Sequence, residues 1–456
     1  MKNNLVLENE IKEAIKLKDV KFLKELFDNH QTVDMVVPVE HLDGEESLFL
    51  FKVLPNEVSG QIFTYMNNAH QQKLITEFSG SQLQQLLENV YSDDIADLVG
   101  ELPANLAKKV IQNATNETRS QINLLLSFPE DSAGSIMSCD YFELKEKDTV
   151  KDALVKLKKQ GNLAETINTC YVIDDFRKLV GSISLKNFLF EKKDVLLKDI
   201  METDPLSVTT TTDQEEVATL IKRYDITVIP VVNNENRLIG IVTVDDIMDV
   251  MEDEVTEDIQ RMNAVNPVET SYLKASVSSL VKSRLPWLLI LMITDTFNGM
   301  IISNYETALM AIPALTGFMP TIMGTAGNGG GQASTMVIRG IAVDDIHTKD
   351  IFKVMFKEVL IGLMCSAVIF AICFLKIFLF PSSLVAAAGT FQVALSVSLA
   401  MIFAMMLGKV VGGVLPLLVS MLHLDPASVA APVITTIADT SALIIYFEIA
   451  TIFFKL

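Results

Sequence analysis

From Leu285 onward the chain carries long apolar runs, whereas residues 1–284 are charged and mixed. A helix that crosses a bilayer needs about 20 apolar residues. Five segments supply them: 286–305, 308–338, 359–380, 391–421 and 428–453. The second is interrupted by Pro313, Pro320 and the run Gly324–Gly331, and the fourth contains Gly408, Gly412, Gly413 and Pro416. Irregular backbone at membrane depth persists only where it is buried in protein or lines water. The second segment is therefore expected to be broken. The run GTAGNGGG lacks the Gly-Lys-Ser/Thr ending of a phosphate-binding loop; close helix packing is the reading its glycines favour.

Charge asymmetry orients these segments. Lys282 and Arg284 precede the first, and Arg339, Lys349, Lys353 and Lys357 separate the second from the third. Basic residues mark the cytoplasmic side, so the N-terminus is expected inside and, with five spans, the C-terminus outside. The opening MKNNLVLENEIKEAIK has acids early and no apolar run, unlike a secretory signal. The soluble part is thus expected in the cytosol.

The last apolar segment holds Asp439 at its middle, with no Lys, Arg or His within a dozen residues. An Asp at the centre of a spanning helix costs roughly 2.5–3.5 kcal/mol on insertion scales. Two readings follow: a carboxylate facing a cation pathway, or a hydrogen-bonded group tying helices together.

The formal net charge of −20 argues against nucleic acid and anionic surfaces as partners. Cys139, Cys170, Cys365 and Cys373 form no CxxC pair, which gives no disulfide framework or zinc site. No Ser-His-Asp or HExxH set occurs, so an enzyme is not indicated. Residues 1–130 show helical periodicity with turn signals at Leu54-Pro55 and Leu102-Pro103, as in a stacked superhelix of short paired helices.

Residues 131–256 contain an internal repeat. The stretch from Val172 to Phe188 aligns with that from Val231 to Ile247 at a constant offset of 59, and Ile136-Met137 recurs as Ile200-Met201. Two β-α-β-β-α units in tandem resemble a pair of CBS domains. Such domains bind adenosine nucleotides through Thr-x-x-Asp after the last strand. Thr243 and Asp246 occupy that place in the second copy, which makes ATP or a relative a ligand implied for that copy; Ser184 and Asn187 depart from the pattern in the first.

Asp245 to Asp258 reads DDIMDVMEDEVTED, with eight carboxylates and no basic residue. Crowded carboxylates repel unless solvated or neutralised by a hard cation, and both readings remain open from composition. Residues 257–284 then form a connector, read as an amphipathic helix from Ser271 to Arg284.

LLSFPEDSAGSIM (124–137), GIVTVDDIMDVMEDEVTEDI (240–259), SRLPWLLILM (283–292), MPTIMGTAGNGGGQASTMVIRG (319–340) and DPASVAAPVITTIADTSALIIYF (425–447) together resemble the MgtE family of magnesium transporters or channels. The resemblance implies a multi-domain chain. An all-α superhelical N domain (1–130) precedes an α/β tandem CBS pair (131–256), a connecting plug helix (257–284) and a five-span α-helical pore domain (285–456).

It further implies a homodimer in the plasma membrane that admits Mg2+, with Asp439 as the pore ligand and Thr435 or Thr436 beside it. Asp93, Asp94 and Asp97, together with Asp213, Glu215, Glu216, Asp225, Asp246, Asp249, Glu252, Glu254, Glu257 and Asp258, match acid-rich zones where the family senses cytosolic Mg2+. Alternatives are a transporter of Co2+ or Mn2+ with the same fold and a nucleotide-responsive membrane regulator.

Overall fold

The computed structural model describes residues 2–268, 272–273 and 275–455; the side chains at 2–4, 162 and 429–431 lie outside that description. The chain divides into two compact units, Met1–Glu252 and Asp253–Leu456.

The first unit opens with short helices between Lys2 and Leu125, all but the first of ten residues or fewer. Their starts are set by local chemistry. Asp43 and Ser79 form capping boxes with Glu46 and Gln82, while Pro55 and Pro103 sit at N-caps, where a missing N–H costs nothing. Leu23, Leu50, Ile62, Leu83, Ile95 and Val110 belong to one continuous core. Each helix covers its neighbours, as the sequence periodicity predicts. Helix α1 (Ser92–Glu101) lies next to the last of the series.

The repeat follows. Strands β1 (Glu143–Lys145), β2 (Thr169–Ile173), β3 (Leu179–Ser184) and β4 (Glu202–Thr203) form one sheet, with α2 (Val150–Gln160) between β1 and β2. Strands β5 (Val208–Thr209), β6 (Val228–Val232) and β7 (Leu238–Thr243) form the second, with α3 (Gln214–Tyr224) between β5 and β6. Sequence symmetry becomes structural symmetry. The register shifts between Val172 and Ile173 and again between Val231 and Val232. Asp174 and Asn233 make the same turn bond to the residue two ahead, and Arg177 and Asn236 both take positive φ. The two hairpins exchange backbone bonds: Leu179 N–H donates to Asn236 (2.9 Å) and Leu238 N–H to Arg177 (3.2 Å). A CBS-like pair is thus joined about a local two-fold axis. Helix α4 (Val244–Met262) follows β7 directly.

The second unit is helical. Helix α5 (Val277–Asn304) is continuous through Pro286, so among the described residues the connecting helix and the first apolar span are one helix starting at Val277; Ser271, the expected start, lies outside the described residues. Helices α6 (Met319–Ala342), α7 (Ile351–Leu379), α8 (Thr390–Met421) and α9 (Pro426–Phe454) complete the unit. Four of the described helical segments are long and apolar enough to cross a membrane: Val277–Asn304, Thr348–Leu379, Thr390–Met421 and Pro432–Phe454. Five were expected. Helix α6 is missing from the four because its centre is glycine, Thr, Asn and Gln rather than Leu and Ile. Its glycine run is also not broken: Gly324–Gly331 is regular helix, and the interruption falls earlier, at a short helix Glu306–Ala311 and a 3-10 stretch Pro313–Phe318.

Side-chain registers fix helix directions. Thr294 meets Thr436, Asn298 meets Thr440, and Tyr305 meets Glu448, so α5 and α9 run parallel. Gly408 abuts Ala326, and Gly412 abuts Gly330, so α6 and α8 run parallel. Gly327 lies by Asp439 and Gly330 by Ile434, so α6 opposes α9; Gly362 packs on Lys409 and Gly413 on Glu358, so α7 opposes α8. Helices α5, α7 and α9 therefore point one way, and α6 and α8 the other.

A Cβ at Gly412 would run into the Gly330 carbonyl, whereas one at Gly331 would meet nothing within 4 Å. Overpacking typically costs about 1–3 kcal/mol. Gly412→Ala is therefore expected to lower the thermal midpoint of the purified protein in detergent, and Gly331→Ala to leave it unchanged or raise it. Equal midpoints for the two variants would contradict this packing.

Candidate metal centres in the two units

In the first unit, Asp93, Glu165 and Asp246 each bring one carboxylate oxygen within 4.8 Å of the other two. They arrive from three places: the first turn of α1, the segment after α2, and the first turn of α4. Backbone bonds assemble them. The Ser92 N–H donates to Asp140 Oδ2 (2.8 Å), the Cys139 N–H to Ser92 Oγ (2.9 Å), and the Glu165 N–H to the Asp140 carbonyl (2.8 Å). Thr243 donates its hydroxyl to Asp246 Oδ2 at 2.6 Å.

Asp93 is 7% exposed. Asp93 Oδ1 and Glu165 Oε2 are buried without a hydrogen-bond partner. Burial, then the fields of Glu165, Asp246 and Asp94, pushes the Asp93 carboxyl well above its ordinary range. Burial likewise raises Glu165 to about 7, opposed by a hydrogen bond from Ser138, and raises Asp246, opposed by Thr243. Buried orphan oxygens among like charges are the donor set a hard divalent cation takes. Oxygens bound directly to one Mg2+ at 2.0–2.1 Å stand at most about 4.2 Å apart, so this spacing fits after slight closure or with a bridging water.

Asp94, Asp97 and Glu101 line a neighbouring cleft with Thr64 and Asn68. Thr64 donates to Asp94 (3.4 Å), and Asn68 bonds Glu101. Burial raises Asp94 to about 6, with further repulsion from Asp246, and Asp97 to about 7, with further repulsion from Asp94 and Asp246.

Within the first unit, Asp213, Glu215, Glu216 and Asp225 lie outside this three-carboxylate group. Asp213 caps α3 by accepting from the Glu215 N–H (2.9 Å), with Glu215 and Glu216 in the first turn, while Asp225 closes the opposite end in left-handed backbone. Eleven residues of helix span about 16 Å, so Asp213 and Asp225 of one chain cannot share an ion. Asp249 and Glu252 are exposed on α4. In the second unit, Glu257 pairs with Arg261, which donates to Asp425 Oδ2 (2.7 Å). Asp258 is raised by burial and by the nearby Asp425, with Glu254 adding to it. Glu165, Glu101 and Asp425 escaped sequence reading. Glu165 stands alone among neutral residues, and only the fold shows its purpose.

Asp439 sits midway along α9, against the glycine face of α6. A Cβ at Gly327 would lie 2.8 Å from Asp439 Oδ1, an oxygen buried without a hydrogen-bond partner. Only glycine lets backbone come this close. Thr435 and Thr436 turn their hydroxyls back to the Pro432 carbonyl (3.1 and 2.7 Å). The polar neighbours on α5 are Asp295, Asn298 and Thr294, none of which the sequence reading singled out.

A helical array, a CBS pair and an apolar helical unit with a mid-helix carboxylate define a multi-pass membrane transporter of cations rather than an enzyme. Comparisons agree. A profile described as "Divalent cation transporter" matches residues 319–449, the "MgtE intracellular N domain" matches 30–131, and the CBS domain matches 133–194 and 197–253. The magnesium transporter MgtE of Thermus thermophilus is 32% identical over 444 residues, spanning 96% of this chain and 97% of its own. That of Bacillus subtilis is 32% identical over 431 residues, 91% of this chain and 93% of its own. A crystal structure of the soluble part of a magnesium transporter superposes with a TM-score of 0.52 at 30% identity, over 55% of this chain and 99% of its own. The chain belongs to the MgtE family of magnesium transporters.

Between the unfolded carboxyl range near about 4 and the folded values of about 6 for Asp94 and about 7 for Asp97 and Glu165, the native state binds more protons than the unfolded chain. Stability therefore falls as pH rises through that window. In metal-free buffer, the thermal midpoint of a soluble fragment ending at Met262 is expected to drop from pH 5 to pH 8, and added Mg2+ to reverse the drop at pH 8. A midpoint that climbs over this range would contradict the cluster's electrostatics.

Proposed function

We propose that this chain forms a homodimeric, Mg2+-selective channel of the plasma membrane, with its soluble unit in the cytosol. The observation that carries this reading is Asp439, a carboxylate midway along an apolar helix whose Oδ1 is buried without a hydrogen-bond partner against glycine backbone. Mg2+ sheds water reluctantly, and one Asp439 from each subunit would hold it with its waters in place. Helix α6 is the fifth traverse of this reading; the alternation of helix directions supports it. An inward-negative potential supplies about 4.6 kcal/mol per 100 mV for a doubly charged ion, which suffices for passive entry.

Cytosolic Mg2+ is the proposed gating ligand. It would neutralise Asp93, Glu165 and Asp246, with Asp94 and Asp97 beside them, and compact the soluble unit. The change would reach the pore through residues 257–284. Asp213, Glu215, Glu216, Asp225, Asp249, Glu252, Glu254, Glu257 and Asp258 form the outer acidic zones of this sensor, which act between subunits or between domains. ATP is a proposed second ligand at Thr243 and Asp246. Since Asp246 also faces Asp93 and Glu165, nucleotide and cation would draw on the same carboxylate. Manganese shares the oxygen preference of Mg2+ and is the competing cargo.

Asp439→Asn is expected to abolish Mg2+ uptake by cells that depend on this protein, at unchanged membrane abundance; normal uptake would sink the pore assignment. Neutralising Asp93, Glu165 and Asp246 together should leave flux high when internal Mg2+ is high. A triple variant that still closes would show that these carboxylates are not the sensor.

A further inference from the structure

Asp295 lies near the middle of the apolar stretch 286–305 carried by α5 and is exposed on that helix. A mid-membrane carboxylate turned to lipid costs roughly 2.5–3.5 kcal/mol; one turned to a water-filled path avoids most of that cost. The register of α5 against α9 sets its depth. Thr294 Oγ1 lies 3.5 Å from Thr436 Oγ1, and Thr440 donates to Asn298 Oδ1 at 2.7 Å. Asp295 is bracketed by these contacts, at the depth of Asp439.

Asn298 orients it. The Asn298 side chain is only 5% exposed. Its oxygen takes the Thr440 hydroxyl, so its amide N–H is left to donate, and it does so to Asp295 Oδ1 (3.3 Å). The amide therefore holds Asp295 as an acceptor while gripping the residue next to Asp439.

We propose that Asp295 is a second carboxylate of the Asp439 ion path, acting on the cation through its water shell and favouring double over single charge. This rests on the reading of Asp439 as the pore site. With one Asp439 and one Asp295 from each subunit the path carries four carboxylates, and a divalent ion offsets twice as much of that charge as a monovalent ion does. Asn298 is a positioning residue, since it acts through Asp295.

The test uses the full chain in liposomes. Mg2+ uptake is measured against Mg2+ concentration, and Na+ permeability against Mg2+ permeability, for Asp295→Asn, Asp295→Glu, Asn298→Ala and Asp439→Asn. Asp295→Asn should raise the half-saturating Mg2+ concentration by about tenfold or more, the scale of losing one partly screened charge, and raise relative Na+ permeability. Asp295→Glu keeps the charge and should keep the ion ratio near wild type, which separates charge loss from misfolding. Asn298→Ala should shift the ion ratio the same way by less. The proposal is overturned if Asp295→Asn retains the wild-type half-saturation and ion ratio while Asp439→Asn loses flux. If Asp439→Asn also keeps its flux, the pore reading falls and this inference falls with it.

Discussion

The close approach of α6 to its neighbours underlies the membrane unit. Gly408 and Gly412 of α8 meet Ala326 and Gly330 of α6 with almost no side chain between them. Lipid gives apolar helices no hydrophobic reason to associate, so such contacts rest on van der Waals packing between small residues. The turn of α6 held there carries Gly327, whose missing side chain leaves room for the Asp439 carboxylate. One glycine face thus builds the bundle and also makes space for its costly charge. Tyr446 adds a second anchor by donating to the Leu315 carbonyl (2.8 Å), which pins α9 to the stretch leading into α6.

The soluble unit uses charge in the opposite way. Its acids are gathered where burial and mutual repulsion work against ionisation, and backbone bonds through Asp140 and Ser92 hold them there. A cluster of this kind is frustrated without a cation, and a ligand can bias its conformation by the repulsion it removes. In the second unit, the pair of Arg261 with Asp425 shows the alternative, in which a resident cation already supplies the neutralisation.

Much of this was legible in the sequence. The repeat at offset 59 reappears as matched register shifts, matched turn bonds and matched positive-φ residues in two hairpins. Apolar runs announced α5, α7, α8 and α9. What failed did so for physical reasons. Glycine and proline in α6 read as breaks, yet in a crowded bundle glycine earns its place by packing and the helix stays regular. Thr435 and Thr436 each donate to the Pro432 carbonyl of their own helix, which leaves their oxygens as acceptors. Isolated polar residues gave no local pattern. Glu165, Asp295 and Asn298 acquire meaning only when distant helices bring them to Asp246, Asp439 and Thr440. Lys409 is similar: at 5% exposure it is buried inside α8, where it donates to Gln332 Oε1 (3.1 Å), and a window of apolar residues conceals it.

The central claim is that the mid-membrane carboxylate Asp439 binds a hydrated divalent cation. Anomalous diffraction from crystals of the full-length protein soaked in Mn2+, which shares the oxygen preference of Mg2+, tests it most directly. The account predicts an ion beside the Asp439 carboxylate, with first-shell waters retained. Crystals that show Mn2+ at Asp93, Glu165 and Asp246 but no ion near Asp439 would contradict it.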